Sequence, residues 1–534
     1  MSEASSASGT PPSAFAPLGN RVFRTLWGTW MAANICMWMT DVAAAWMMTS
    51  LTDSPVWVAL VQTAATLPVF LFGLPSGALA DILDRRRYFM ATQFWIAAVA
   101  SALCVVVMSG QVTPVLLLAM LFANGIGLAM RWPVYAAIVP ELVPRAQLPA
   151  ALALNGVAMN ASRIVGPLVA GAIIASAGSA WVFLLNAALS LVAGMVIMRW
   201  KHTQVPSSLG RERLPSAIRV GVQYVRQSRR MRAVLLRIGL FFFHSTALLA
   251  LLPLVARGMG GGSAGTFTLL LAALGAGAIA TTAFLPRIRQ RIAREPLVLG
   301  GTLVQAAAMA VVALAPSIHL AVPAMFVAGA GWIATANSLT VSAQLALPDW
   351  VRARGMSIYQ MSIMGAGALG AALWGQVAAA SSVSTSLLVA AASGAAAMAI
   401  AHARRAERGP EEDLSPAGEF RLPQMATAPG PGRVEMTIEY CIDPRRADEF
   451  RALMQESRRG RLGQGALAWA LLHDAGHAGR YVERIVDESW TEHLRRLSRI
   501  TTTDVALRER KRAFHIGSAE PLVRRFVAES APPS

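Results

Sequence analysis

Apolar residues fill the first four hundred positions in long blocks broken by short polar turns, without the polar face of a soluble helix. A helix that crosses a bilayer needs roughly 20 predominantly apolar residues. Six such blocks fall near 24–50, 56–80, 88–109, 114–137, 148–175 and 180–200. Six more fall near 233–256, 263–286, 296–315, 318–346, 354–379 and 381–402. A basic stretch, Lys201 to Arg232, separates the sets. Six, linker, six predicts an all-α membrane protein of 12 transmembrane helices in two similar halves, 20–200 and 233–402. Residues 1–19, rich in Ser, Ala and Pro and without a charged start, read as a disordered cytoplasmic tail rather than a signal peptide.

The pattern changes after Ala403. Residues 403–432 are rich in Pro, Gly and charge and read as a linker. From Arg433, VEMTIEYCI alternates as a strand does, and PRRADEFRALMQESRRG has the spacing of an amphipathic helix. ALAWALLHD and GRYVERIVDES read as a hairpin. SWTEHLRRLSRITTTDVALRERKRAF supplies a second helical region, and a last strand is expected around His515. This β-α-β-β-α-β order predicts a small ferredoxin-like α+β domain over 433–528.

Charge supports the membrane reading and sets its orientation. The chain is 55% hydrophobic and 14% charged, against roughly 25% charged in soluble domains. Residues 1–402 hold 25 Lys and Arg against 9 Asp and Glu; residues 403–534 hold 22 against 20. The net +18 therefore comes from loops flanking the apolar blocks, which argues for positive-inside topology rather than a nucleic-acid partner. The turns assigned to the inside carry twenty basic residues, Arg85 to Arg87 and Arg145 among them, while the outer turns carry Arg257 alone. That alternation places both termini in the cytoplasm of a cell whose plasma (inner) membrane holds the chain. Cys36, Cys104 and Cys441 have no metal or disulfide spacing and read as reduced thiols.

The stretch Leu74 to Phe89, LPSGALADILDRRRYF, closes the second block with a turn crowded with charge. Gly77 and its small neighbours admit a close helix. Asp81 and Asp84 lie at the boundary, where a carboxylate can meet a helix N-terminus or an arginine, and Arg85 and Arg86 begin the basic run. The turn LPRIRQRIAREP after the eighth block keeps the arginines without the Asp, as a degenerate repeat would. Inside the blocks, Asp41 is the one deep carboxylate between residues 20 and 402, and ionisable groups in a bilayer are costly. Arg163, Arg131 and His244 are its candidate partners. Helical rise puts Asp41 about 25 Å and Arg163 about 22 Å from their inner ends, level enough to pair. Arg131, about 9 Å in, is short enough of the midplane to snorkel, as is Arg237. His244 titrates in the range suited to proton exchange. A structural ion pair and a proton-coupling role for Asp41 both stand at this point. Asn34, Asn155 and Asn160 are candidate polar groups of a cavity. Gly166, Pro167 and Gly171 give the fifth helix a bendable, closely packed segment.

The turn GALAD-x-x-DRRR resembles the signature between the second and third helices of major facilitator transporters. Together with APLGNRVFRTLW, RWPVYAAIVPELVPRAQLPAALALNGVAMNASRIVGP and FLLNAALS, it makes residues 15–402 similar to the transmembrane secretion effector, siderophore-exporter-like branch. Gly166-Pro167 with Gly171 resembles the antiporter signature of exporting members. Arg131 departs from the usual apolar residue. The arginine that relays protons in drug antiporters is not evident near Leu121, so that role is not carried over. The tail's SWTEHLRR with Arg499 is similar to the extra C-terminal domain of some members and to small monooxygenase folds, but a fold alone does not establish activity. His473 and His477 flank a turn and read as a solvated hairpin tip rather than a metal pair.

The function expected is proton-coupled export of an amphipathic small molecule, a siderophore or drug, by alternating access. Its partners are that substrate, protons, the bilayer and, through the tail, a second copy. No Gly-x-x-x-x-Gly-Lys loop, metal set or acid–base constellation is present, so neither a cofactor nor enzymatic chemistry is expected. The alternative is a membrane-tethered enzyme or sensor in which the tail acts, but twelve helices exceed what an anchor needs.

Overall fold

A computed structural model describes residues 15–144, 147–200, 214–259, 262–404, 413–415, 417 and 432–528. Arg145 and the side chains of Asp81 and Asn160 lie outside the described residues. The first half consists of α1 (Arg21–Leu51), α2 (Pro55–Ile82), α3 (Arg85–Met108), α4 (Pro114–Leu142), α5 (Leu148–Ala177) and α6 (Ser179–Arg199). A short amphipathic helix, α7 (Leu214–Gln227), follows. The second half is α8 (Arg229–Gly258), α9 (Ala264–Arg291), α10 (Arg294–Leu314), α11 (Ile318–Leu345), α12 (Arg352–Ala380) and α13 (Val383–Ala403). Among the described residues 11 of these helices are long and apolar enough to cross a membrane. The twelfth, α1, has the length, at 31 residues, but carries Arg21, Arg24, Asn34 and Asp41.

Local chemistry sets the helix ends. Asn20 accepts from the amides of Val22 and Phe23, Thr113 from Leu116 and Ser382 from Thr385, each satisfying otherwise orphaned donors. Gly178 ends α5 and starts α6 at φ 92°, a conformation that favours glycine.

The halves repeat one packing scheme. In the first, α1 packs on α5, α2 on α4 and α3 on α6. In the second, the equivalent pairs are α8 with α12, α9 with α11 and α10 with α13. Glycine makes the crossings: a side chain on Gly370 would strike the Phe243 carbonyl, and one on Gly277 the Phe326 carbonyl. Lipid is as apolar as leucine, so such close backbone packing, not burial of oil, holds membrane helices together. The outward faces stay apolar, as at Leu369, which is 67% exposed.

Among the described residues the halves meet mainly along two helix pairs. α2 lies along α12, with Thr63 donating to the Ala368 carbonyl at 2.9 Å and Phe70 against Gly365. α5 meets α9 at Gly171, which faces Thr268, and at Gly275, which faces Ile164. A shared apolar cluster, including Met39, Val61, Leu251, Phe267 and Trp374, continues toward the ends marked by Leu51 and Gly258. There Arg257 binds the Thr49 carbonyl and pairs with Asp53 at 3.2 Å. The cluster at the opposite end of α1, built on Phe23, Trp30, Phe89 and Tyr135, belongs to the first half alone.

The tail is a separate sandwich. Strands β1 (Val434–Cys441), β2 (Ala468–His473), β3 (Arg480–Asp487) and β4 (Leu522–Val527) form one antiparallel sheet in the order β2-β3-β1-β4. Helices α14 (Ala447–Gly463), α15 (Trp490–Leu497) and α16 (Thr502–Arg512) connect them in ferredoxin-like order. Burial alternates along β1, and its inward Met436, Ile438 and Tyr440 pack on Phe450 and Met454 of α14. The last strand is at Leu522–Val527, not around His515. His515 instead accepts from the Cys441 amide at 3.0 Å, and the true strand, LVRRFV, hides its pattern because it is an exposed edge. The second helical region is two helices, because Thr501 and Asp504 form a capping box that starts α16.

The chain divides into two compact units. One comprises α1–α6 and most of α8–α13; the other joins the tail to α7, the start of α8 and residues 340–359. Within the second unit Arg219 of α7 pairs with Glu488 at 2.8 Å and donates to the Gly465 carbonyl at 3.3 Å. Arg499 donates to the Gln464 carbonyl at 2.8 Å and lies 5.0 Å over the ring of Trp350, in the loop between α11 and α12.

Candidate substrate and coupling site

Arg163 is placed by glycines. One turn beyond it, a Cβ on Gly166 would lie 2.5 Å from the Trp38 Cβ and 3.0 Å from the Ile35 carbonyl, so α5 seats directly on α1. Gly275 lets α9 close on the other side, where a Cβ would lie 2.7 Å from Ile164. The guanidinium is thereby directed between two indoles, 4.3 Å from Trp332 of α11 and 5.3 Å from Trp38 of α1. Phe242 of α8 meets Trp332 edge-on at 5.8 Å. The Arg163 Nε has no hydrogen-bond partner among the described residues. A cation between two ring faces gains about 2 kcal/mol when desolvated. The cage therefore draws on both halves, around a guanidinium whose Nε is left without a partner among the described residues.

The expected ion pair between Asp41 and Arg163 is not formed. No cation lies within ion-pair distance of Asp41 among the described residues, and its half-buried carboxylate has no hydrogen bond there. Ser162 of α5 lies at 3.4 Å from the Met31 carbonyl, and Gly166 lies against Ile35 and Trp38. Arg163 is thus level with about residue 33 of α1, some eight residues or about 12 Å short of Asp41. Equal depth had assumed that α1 and α5 enter at one level, and their crossing removes that equality.

Arg131 does not snorkel; it is only 2% exposed. It donates to the Ala33 carbonyl at 3.3 Å and to Asn34 Oδ1 at 3.4 Å, and it covers the Trp30 ring at 5.2 Å. Trp30 stacks flat on Tyr135 at 3.8 Å, and the Tyr135 hydroxyl donates to Asn155 Oδ1 at 3.0 Å. Three of the predicted polar residues, Asn34, Arg131 and Asn155, therefore belong to one buried chain inside the first half. Arg237 is also buried, at 3%, and pairs with Glu295 in the first turn of α10. In both cases a neighbouring helix supplies the acceptors.

His244 lies elsewhere. Its Nδ1–H donates to the Leu240 carbonyl at 2.7 Å, and its ring packs on Trp374 and against Gly394. It faces a small gap with Thr302 and Gln305 of α10. Residues two apart on a helix point to nearly opposite sides, so His244 turns away from the cage that Phe242 joins.

The charged turn is a capping device. Asp84 accepts from the Arg87 amide at 2.8 Å and starts α3, and the Arg86 guanidinium binds the Met198 carbonyl at the end of α6. A Cβ on Gly77 would lie 3.9 Å from the Pro133 Cβ, and the neighbouring Ser76 hydroxyl donates to the Ala129 carbonyl at 2.8 Å. Arg85 begins α3. In the corresponding turn of the second half, Arg289 donates to Asn337 Oδ1 at 2.8 Å. Pro167 is buried within α5, between the Gly166 and Gly171 contacts. Sequence reasoning missed Trp38, Trp332 and Phe242. The available signal was Trp38 one turn before Asp41, but Trp332 is brought in only by the packing of the halves. Among the described residues no three His, Cys, Asp or Glu side chains converge as metal ligands would.

Comparison with known proteins fits this architecture. The staphyloferrin A transporter of Staphylococcus aureus is 24% identical over 259 residues, 48% of this chain and 64% of that protein. Macrolide efflux protein A of Streptococcus pyogenes is 28% identical over 241 residues, 44% of this chain and 58% of that one. The matches thus span less than two thirds of either relative. Among solved structures, the nucleoside transporter NupG superposes with a TM-score of 0.58 at 13% identity, covering 73% of this chain and 100% of its own. A bacterial homologue of the human lysosomal transporter Spinster, in an inward-facing unoccupied conformation, gives 0.55 at 14% identity, covering 74% and 96%. These likenesses establish the major facilitator fold. The profile of the transmembrane secretion effectors matches residues 12–533. The chain is a multi-pass membrane protein and belongs to the transmembrane secretion effector family.

Proposed function

We propose that the chain is a secondary transporter that exports an amphipathic small molecule across the plasma (inner) membrane in exchange for protons, with both termini in the cytoplasm. The observation that carries this reading is the Arg163 cage. One cation held by an indole from each half, without an acidic partner among the described residues, suits a substrate with an apolar body and an anionic or oxygen-rich group. Rocking the halves would take Trp332 away from Arg163 and so change the site's affinity between access states. Relatives named for staphyloferrin A transport and for macrolide efflux support the reading, the latter its direction. Asp41 is the coupling carboxylate in this scheme, being deep and uncommitted to any described cation. The tail-as-enzyme alternative is not favoured, since the matching family is one of secretion effectors.

The test is uptake into inverted vesicles of a strain lacking its own exporters, energised by an imposed pH gradient, across a panel of siderophores and macrolides. Wild-type protein should accumulate at least one compound, and Arg163→Gln at equal expression should not. Accumulation unaffected by Arg163→Gln, or independent of the pH gradient, rejects the scheme.

A further inference from the structure

The Arg163 cage and Asp41 leave His244, a titratable group of the second half, without a role. Its Nδ1–H is committed to the Leu240 carbonyl, so in the neutral ring Nε2 keeps its lone pair. Small residues of α13 make room for the ring: a Cβ on Gly394 would lie 2.8 Å from the His244 Cβ, and Ala390 and Ala391 line the same wall. Between α8, α10 and α13 this leaves a gap of about 10 Å³, room for one water molecule. Its polar side chains are His244, Thr302 and Gln305. Thr302 donates its hydroxyl to the Val298 carbonyl at 2.8 Å, which leaves its oxygen an acceptor, and the Gln305 amide brings another. The Trp374 ring lies 5.7 Å from the imidazole, close enough to attract a cation. Among the described residues the nearest ionisable groups on the surrounding helices are Arg237 of α8, Glu295 of α10, Tyr359 of α12 and His402 of α13. Each is at least seven residues, or about 10 Å of helix, from the gap, and Arg237 and Glu295 neutralise one another. The surroundings of Nε2 thus accept positive charge.

We propose that His244 is a second proton site of the transport cycle, taking a proton at Nε2 from water in the gap while Nδ1–H stays on the Leu240 carbonyl. Trp374 links that site to the seam between the halves. Its indole N–H donates to the Phe243 carbonyl at 2.9 Å, and a Cβ on the next residue, Gly375, would lie 2.6 Å from the Ala59 Cβ of α2. A charge on His244 therefore acts beside the place where α12 of one half meets α2 of the other. The inference rests on the proton-coupled reading and adds a proton to that cycle without replacing Asp41.

The test has two measurements on the full-length protein. The first is nitrogen NMR of histidine-labelled protein in lipid nanodiscs, from about pH 8 to about pH 5. The chain has 8 histidines, and the signals missing from His244→Gln identify the ring; His244→Asn identifies it if the glutamine variant does not fold. Its Nε2 signal should move from that of a bare nitrogen to that of a protonated one, and a ring that stays neutral throughout overturns the proposal. The second is the ratio of protons to substrate, read in inverted vesicles from the pH gradient that just balances a known gradient of a compound the wild type accumulates. His244→Gln should still transport, with the ratio lowered by one proton. A ring that titrates with an unchanged ratio overturns the proposal and leaves the Asp41 scheme standing, whereas a wild type without proton drive removes both.

Discussion

Arg163 and Asp41 are both deep ionisable groups, yet their surroundings give them different work. Arg163 is held by ring faces, whose attraction depends on its flat, delocalised charge. Arg163→Lys should therefore fail to restore transport, with substrate affinity down about thirtyfold, the equivalent of about 2 kcal/mol for a lost charge-assisted hydrogen bond. Equilibrium binding to detergent-solubilised protein measures this, and a fully active lysine variant would show that charge alone suffices. Asp41→Asn keeps the shape of the side chain and removes only its titration. Proton-driven uptake should stop while substrate-for-substrate exchange continues, and a variant with unaltered pH dependence excludes Asp41 as the coupling group. In the tail, burial opposes the charge of Glu483, but Lys511, Arg461 and the bonds from Ser457 and Trp469 hold its carboxyl down at about 2. Its folded-state value is thus below the ordinary 4.5, so its contribution to stability is present above pH 4.5 and fades as pH falls toward 2. Glu483→Gln strands the buried Lys511 and the partly buried Arg461 and should cost about 3 kcal/mol, read as faster hydrogen exchange along β3.

At the scale of elements, α5 is the one whose placement matters most. Its glycines at 166 and 171 face α1 and α9, one in each half, so a side chain at either position would force closely packed surfaces apart. Gly166→Leu should push α5 off Trp38 and block transport without preventing insertion, as judged by normal yield in the membrane and loss of uptake. Normal transport by that variant would reduce Gly166 to ordinary packing. The apolar spans were legible because a bilayer demands about twenty apolar residues whatever the partners are. The edge strand β4 was not, because both its faces are exposed and its arginines break the alternation that burial imposes on β1. The sequence of α7 reads only as part of a basic linker. Its 14 residues show their apolar stripe, but the surface that stripe covers is supplied by the tail and by residues 340–359, far away in sequence.

At the scale of the whole molecule, the tail forms one compact unit with α7 and the loop between α11 and α12. Arg219 and Arg499 hold the Gly463–Ala466 turn and reach the loop between α11 and α12 through Trp350. Arg219→Glu reverses one contact against Glu488, and it should make the tail at least several-fold more sensitive to limited proteolysis while its own fold stays intact. Unchanged proteolysis would mean that this contact does not hold the tail.

What the sequence determined by itself was whatever one segment must satisfy alone: the membrane spans, the two-half repeat and the first strand and helix of the tail. Each answers to a local demand, of bilayer thickness or of alternating burial. It also named Asp41 and Arg163 as deep charges, since intramembrane ionisable residues stand out in composition. Only the tertiary structure decided which groups meet. The depth of Arg163 relative to Asp41 depends on how α5 crosses α1, and the pairing of Trp38 with Trp332 depends on how one half packs on the other. Those distances are set by close contact between backbones remote in sequence, and no spacing within a single helix encodes them.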